Sequence, residues 1–186
     1  MKHTDGWLEL RHSGARGTSR LYRQTWQPDG DPRAVILLAH GLGEHSGRYT
    51  DCASRCTDRG FAICALDHYG HGKSEGHAGH VERFSVYLDG MRELLARVRE
   101  EHAGVPLFML GHSMGGLIAA AFMRETQAAF RGCVLSGPAF LSDAAPSAIV
   151  LRINRLLSAL APTVPVTGLD PAGVSRDPEV VRAYVS

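Results

Sequence analysis

A serine set among glycines at the end of an apolar run, Gly111-His112-Ser113-Met114-Gly115-Gly116, is the stretch of this sequence best suited to chemistry. It follows Val105 to Leu110 and precedes Leu117-Ile118-Ala119-Ala120-Ala121-Phe122, so a G-x-S-x-G motif lies between a strand and a helix. Glycines on both sides let the backbone turn sharply, which holds the Ser113 hydroxyl out above the sheet edge. The helix that follows directs its free amides and positive dipole end at any anion formed there. The plainer alternative is a serine that caps an ordinary crossover helix. A nucleophilic serine also needs a base and donors for an oxyanion. His40-Gly41-Leu42-Gly43 follows the apolar run Val35 to Ala39, so the Leu42 amide is expected to face the same point as the Met114 amide. His40, Gly41 and Gly43 would shape that loop, and Gly111, His112 and Gly115 the serine turn. The reaction class is acyl transfer; a plain tight turn is the ordinary alternative for the loop glycines.

The elements that must position these residues follow from hydrophobic periodicity. Trp7 to Trp26 reads as a two-strand antiparallel opening, interrupted by a polar stretch from Arg11 to Arg20. Ala34–Ala39, Phe61–Leu66 and Leu107–Leu110 run apolar without alternation, as strands buried on both faces do. Helical spacing marks Tyr49 to Arg59, Val86 to Glu101 and the stretch after Ser113 to about Thr126, and Cys133–Ser136 reads as another strand. Alternating strands and helices predict an α/β fold, a doubly wound, mostly parallel sheet with helices on both faces and its site beyond the carboxyl ends of the strands. Ser147 to Leu160 carries Ile149, Ile153, Leu156, Leu157 and Leu160 as an apolar stripe. That stripe suits either a helix leaving the sheet or a plain core helix.

Composition narrows the class. The 186 residues fit one domain, 44% are hydrophobic, and 20 basic against 19 acidic residues leave a net charge of +1. No field attracts nucleic acid or an anionic membrane. No run is long and apolar enough for a membrane span, and the polar start lacks a secretory signal, so a cytoplasmic location is expected. Cysteines 52, 56, 64 and 133 form no C-x-x-C pair, and Cys64 and Cys133 lie in apolar runs, so no disulfide and no zinc are expected. His68-x-x-His71 and His77-x-x-His80 have ligand-like spacing, but in a glycine-rich loop that spacing is unspecific. No metal and no cofactor are expected.

Three stretches, His40-Gly41-Leu42-Gly43-Glu44-His45-Ser46-Gly47-Arg48-Tyr49, Asp67-His68-Tyr69-Gly70-His71-Gly72-Lys73-Ser74-Glu75-Gly76 and Gly111–Gly116, together resemble the monoacylglycerol lipases and lysophospholipases of the α/β-hydrolase superfamily, a serine aminopeptidase S33-type group. Val174 to Val181 resembles the stretch that closes the lid in this family. The resemblance implies a serine esterase that cleaves a fatty acyl chain from glycerol or a lysolipid, using Ser113 as nucleophile and the Leu42 and Met114 amides as oxyanion hole. It implies an α/β-hydrolase core over residues 1–137 and a helical lid segment over 138–186, with the 149–160 stripe lining an acyl tunnel or making transient contact with a membrane surface. It implies a small lipid ester as substrate and no nucleic acid.

The same resemblance places the acid and then the histidine of the catalytic triad after the serine. All ten histidines, at 3, 12, 40, 45, 68, 71, 77, 80, 102 and 112, precede Ser113. Asp143, Asp170 and Asp177 follow it but fall in the lid-like region and do not match. No triad Asp or His is identifiable, and the chain is expected to correspond to the front part of such a hydrolase, without the last strands of the sheet. His112 adjoins Ser113 on a tight turn and is expected to diverge from it; His40 shapes the loop. A binding protein that keeps the pocket without the triad, and a peptidase or haloalkane-type hydrolase, are the competing readings. The edge strand at 133–136 would be an aggregation risk.

Overall fold

The computed structural model describes residues 1–11, 17–140 and 175–185. Six strands, β1 (Lys2–Arg11), β2 (Thr18–Gln27), β3 (Ala34–Ala39), β4 (Phe61–Leu66), β5 (Leu107–His112) and β6 (Gly132–Ser136), form one sheet in the order β1-β2-β4-β3-β5-β6. The unalternating apolar runs occupy its centre, as burial on both faces requires. β4, β3, β5 and β6 are parallel neighbours, with Ala39 opposite Gly111 and His112 opposite Ser136. β1 and β2 form an antiparallel ribbon joined antiparallel to β4.

Alternation along β3 separates two apolar layers. Val35, Leu37 and Ala39 join Met91, Leu94 and Val98 of α2 (Ser85–Glu101) and Ile118, Ala119 and Phe122 of α3 (Met114–Thr126). Leu38 joins Trp26, Ile63, Ala65 and Ala53, the last from α1 (Thr50–Thr57), on the other face. Helices therefore cover both faces, as the doubly wound pattern predicts. Each Leu- or Ile-sized side chain so buried is worth about 1.5–3 kcal/mol. This layering fixes the carboxyl ends of β3, β4 and β5 beside one another.

The first ribbon is longer than its hydrophobic pattern indicates. Lys2 to Gly6 pair with Arg23 to Gln27 through the backbone while β1 buries only Leu8 and Leu10, so the start of the strand leaves no apolar signal. Cys133 also departs from expectation. It is exposed on the edge strand β6, not buried, and all four cysteines are free thiols. Contacts divide the chain into two compact units, Met1–Asp143 and Ala144–Ser186. In the second, α4 (Pro178–Val185) is capped by Asp177, whose Oδ1 accepts the Glu179 amide at 2.8 Å. The apolar stripe at 149–160, Asp143 and Asp170 lie outside the described residues. No helix among the described residues is long and apolar enough to cross a membrane.

Among the described residues, β6 is the last strand of the sheet, with Val134 60% and Leu135 37% exposed. An apolar edge strand with a free row of backbone groups templates pairing with another chain. Purified residues 1–186 should therefore self-associate with rising concentration in sedimentation velocity, and Val134→Lys should suppress this while leaving the far-UV circular dichroism unchanged.

Candidate active site

Ser113 occupies the turn between β5 and α3 with φ 52° and ψ −118°, the one non-glycine positive φ among the described residues. Such a conformation costs on the order of 1–3 kcal/mol and persists only where neighbours over-determine it. Here they do. The Ser113 amide donates to the Ser136 carbonyl at 3.0 Å, and the Ser113 carbonyl accepts from the amides of Gly116, Leu117 and Ala139 at 2.9, 3.2 and 3.0 Å.

The glycines of the motif are demanded by proximity. A Cβ on Gly115 would lie 2.0 Å from the Ala39 carbonyl oxygen and 2.5 Å from that of His40; one on Gly111 would lie 2.4 Å from the Gly115 carbonyl. A Cβ on Gly116 would meet Pro138 at 2.8 Å. The first turn of α3 is thus pressed against the end of β3, which brings the loop that begins at His40 onto the serine. A Cβ on Gly41 would stand 3.3 Å from Ser113 Cβ. Gly43 turns that loop at φ 69°, and Leu42 is exposed at its tip. Met114 is the first residue of α3, where an amide has no acceptor within its own helix. The elbow glycines, Ser113, His40 and Gly41 are therefore brought together.

His40 is buried and both its ring nitrogens are engaged: Nδ1–H donates to the Gly41 carbonyl at 2.8 Å, and Nε2 accepts the His68 amide at 2.9 Å. This tautomer leaves no lone pair for a proton from Ser113. The His112 ring turns toward Ser136, with Nδ1 3.0 Å from its carbonyl oxygen and 3.2 Å from Oγ. Divergence from Ser113 is what the tight turn predicts.

Several positioning groups carry no signal in the motif alone. Asp67, buried after β4, accepts the Ser46 amide at 2.7 Å and hydroxyl at 2.6 Å through Oδ1 and the Lys73 amide at 2.9 Å through Oδ2. Gln24 of β2 donates to Ser46 Oγ at 2.6 Å. Glu44 Oε2 accepts the Gly41 amide at 2.9 Å and the Tyr49 hydroxyl at 2.8 Å. The Glu44 spacing, three residues beyond the amide it binds, is the sequence cue that could have found it, as in a capping box. The Asp67 contacts depend on two distant loops folding together, which spacing cannot reveal.

His68 and His71, read from sequence as loop residues, pack against His40 with ring centroids 4.3 and 5.4 Å away, and Tyr87 presents its edge to both. Both ring nitrogens of His68 and Nε2 of His71 are buried without a hydrogen-bond partner among the described residues. Among the described residues, no group of three or more His, Cys, Asp or Glu side chains could hold a metal ion. A cavity of about 460 Å³ lies between β1 and α2, lined by Trp7, Glu9, Arg97 and Glu100 among others, and none of the elbow residues lines it.

A mostly parallel sheet whose strained serine turn opens a helix, with a glycine loop from the adjoining strand laid against that serine, defines an α/β-hydrolase. Comparison with known proteins narrows this. The chain belongs to the serine aminopeptidase S33 family, whose profile matches residues 30–186. It is 42% identical over 168 residues to the monoacylglycerol lipase of Mycolicibacterium smegmatis, covering 90% of this chain and 60% of that protein. It is 34% identical over 168 residues to the Homo sapiens monoglyceride lipase, covering 89% and 55%. Among solved structures, the Paleococcus ferrophilus monoacylglycerol lipase superposes with a TM-score of 0.76 at 31% identity, over 89% of this chain and 62% of that one. The chain thus spans less than two thirds of the length of these relatives.

Burial sets the protonation of the histidine cluster. Desolvation, opposed by the hydrogen bond to the Gly41 carbonyl and reinforced by His71, with Asp67 and Glu44 as smaller opposing charges, pushes His40 down to about 4; desolvation with His40 and His71 alongside holds His68 well below the ordinary histidine value of 6.5, and burial lowers His71 as well. The folded protein keeps these rings neutral, whereas the unfolded chain takes up protons below its ordinary pKa. Their contribution is therefore complete above about pH 6.5 and lost as pH falls through 4. Between pH 7.5 and pH 5, urea unfolding should show a loss of at least about 2 kcal/mol, the share of His40 alone, with His68 and His71 adding to it; a flat profile over that interval would refute the assignment.

Proposed function

We propose that this chain carries the nucleophile and oxyanion hole of a serine carboxylic-ester hydrolase acting on monoacylglycerol or lysophospholipid-like acyl esters. The observation that carries the proposal is the strained Ser113 turn in contact with the Gly41–Leu42 loop. In this reading Ser113 Oγ attacks the ester carbonyl carbon, and the oxyanion that forms is met by the Leu42 and Met114 amides. Such a donor is typically worth about 3 kcal/mol in the transition state. Collapse of the tetrahedral intermediate expels the glycerol or lysolipid oxygen and leaves the acyl group on Ser113, from which water removes it. The lipid substrate class is supported by the names of the relatives, monoacylglycerol lipase and monoglyceride lipase.

The attacking hydroxyl must give up its proton, and neither His40 nor His112 is placed to receive it. No histidine follows Ser113 in the chain. The engagement of both His40 ring nitrogens and the turn of the His112 ring toward Ser136 favour one second reading, a binding protein that keeps the hydrolase pocket without turnover.

Ester hydrolysis separates the two. Residues 1–186 and the product of the reading frame continued past codon 186 would be assayed on a short p-nitrophenyl ester and a monoacylglycerol, each beside its Ser113→Ala variant. The continued product should lose at least about a thousandfold in rate on Ser113→Ala, while residues 1–186 alone should be nearly inactive for want of a base. A continued product no faster than its Ser113→Ala variant would sink the esterase reading.

A further inference from the structure

Two successive peptide units of the loop beside Ser113 are held by side chains. The Gly41 amide, in the peptide between residues 40 and 41, donates to Glu44 Oε2. The Gly41 carbonyl, in the peptide between residues 41 and 42, accepts from His40 Nδ1–H. Because a trans peptide is planar, with its C=O and N–H on opposite edges, fixing the Gly41 oxygen also fixes the direction of the Leu42 N–H. The Glu44 oxygen is itself held by the Tyr49 hydroxyl at the start of α1. It lies close to the nucleophile: a Cβ on Gly41 would be 3.1 Å from Glu44 Oε2 and 3.3 Å from Ser113 Cβ. Desolvation, first, and the bond to Glu44 raise the Tyr49 pKa, so Tyr49 acts as a standing donor at neutral pH.

We infer that Glu44, backed by Tyr49, is a positioning residue of the oxyanion hole: it consumes the Gly41 amide and anchors the loop, so that the Leu42 amide alone is presented from that loop to the developing oxyanion. The inference rests on the esterase reading. Glu44 acts here as a hydrogen-bond acceptor, with its oxygen already taken by two donors, and neither gives nor receives the proton of Ser113. Its effect belongs to the transition state, where donors must meet the oxyanion and not the ground-state carbonyl.

The test uses the product of the whole reading frame, with steady-state kinetics on a p-nitrophenyl ester and on its thionoester. Sulfur is larger and a poorer hydrogen-bond acceptor than oxygen, so a well-aligned oxyanion hole favours the oxo ester, and a misaligned one loses that preference. Glu44→Leu should lower kcat by about ten- to a hundredfold with KM within about twofold, and should shrink the oxo-to-thiono rate ratio. Tyr49→Phe, which deletes one hydroxyl, should move both in the same direction by a smaller factor. Glu44→Gln, whose amide oxygen can take both donors, should restore kcat and the ratio toward wild type. Should Glu44→Leu fail to fold, Tyr49→Phe carries the same readout. An unchanged oxo-to-thiono ratio in these variants would overturn the inference, as would equal losses in Glu44→Gln and Glu44→Leu, which would make the charge and not the acceptor the requirement. Ser113→Ala separates this from the esterase reading: activity surviving that change refutes the reading itself, whereas an inactive Ser113→Ala beside a fully active Glu44→Leu refutes the positioning role alone.

Discussion

The contact on which the rest depends is the one between the first turn of α3 and the end of β3, where the Ala39 carbonyl leaves no room for a side chain at residue 115. Two parallel strands can sit side by side without their following segments touching. Here the absence of a Cβ lets the helix start directly against the neighbouring strand, so two loops that leave adjacent strands converge. Ser113 is driven into a positive φ by this convergence, and four backbone hydrogen bonds from Ser136, Gly116, Leu117 and Ala139 hold it there. The strain is local and its support comes from β6, from α3 and from the chain just after the sheet.

A second layer of constraint joins the loops after β3 and β4. Asp67 gathers three donors from Ser46 and Lys73, and His40 takes the His68 amide. Buried donors and acceptors gain modestly when paired and lose heavily when orphaned. The neutral imidazoles of His40, His68 and His71 show both sides of this rule. His40 is fully satisfied, whereas His68 is held by ring packing with neither nitrogen partnered among the described residues. The loop bearing Leu42 therefore rests on a polar floor that is rigid where it is hydrogen-bonded and sensitive to protonation where it is not.

What could be read in the sequence follows from where hydrophobic burial acts. β3, β4 and β5 were legible because strands covered on both faces run apolar without interruption, and α2 because Met91, Leu94, Leu95 and Val98 repeat at helical spacing. The polar start of β1 was not, since its pairing with β2 is made by backbone groups and by polar side chains such as His3 and Asp5, with no apolar residue of its own buried there. At the site, the Ser113 turn and its glycines were legible from the motif and its flanks. The parts played by Asp67 and Ser46 were hidden, because their partners approach only when separate loops fold back, whereas Glu44 binds Gly41 and Tyr49 within its own loop and its spacing alone was the cue to it. The burial of His68 and His71 was hidden for the same reason: a glycine-rich loop gives no hydrophobic period, and Tyr87 and His40 cover them from elsewhere in the fold.

Among the described residues, the hydrogen bonds and steric contacts that shape the Ser113 turn come from between Ala39 and Ala139. During synthesis, domains assemble from the amino-terminal side as the chain emerges at about 5–20 residues per second. The ribosome therefore releases each of these described partners before it has delivered the second compact unit. The most strained conformation in the described chain thus has its described supports within the first unit, ready for whatever the later residues add.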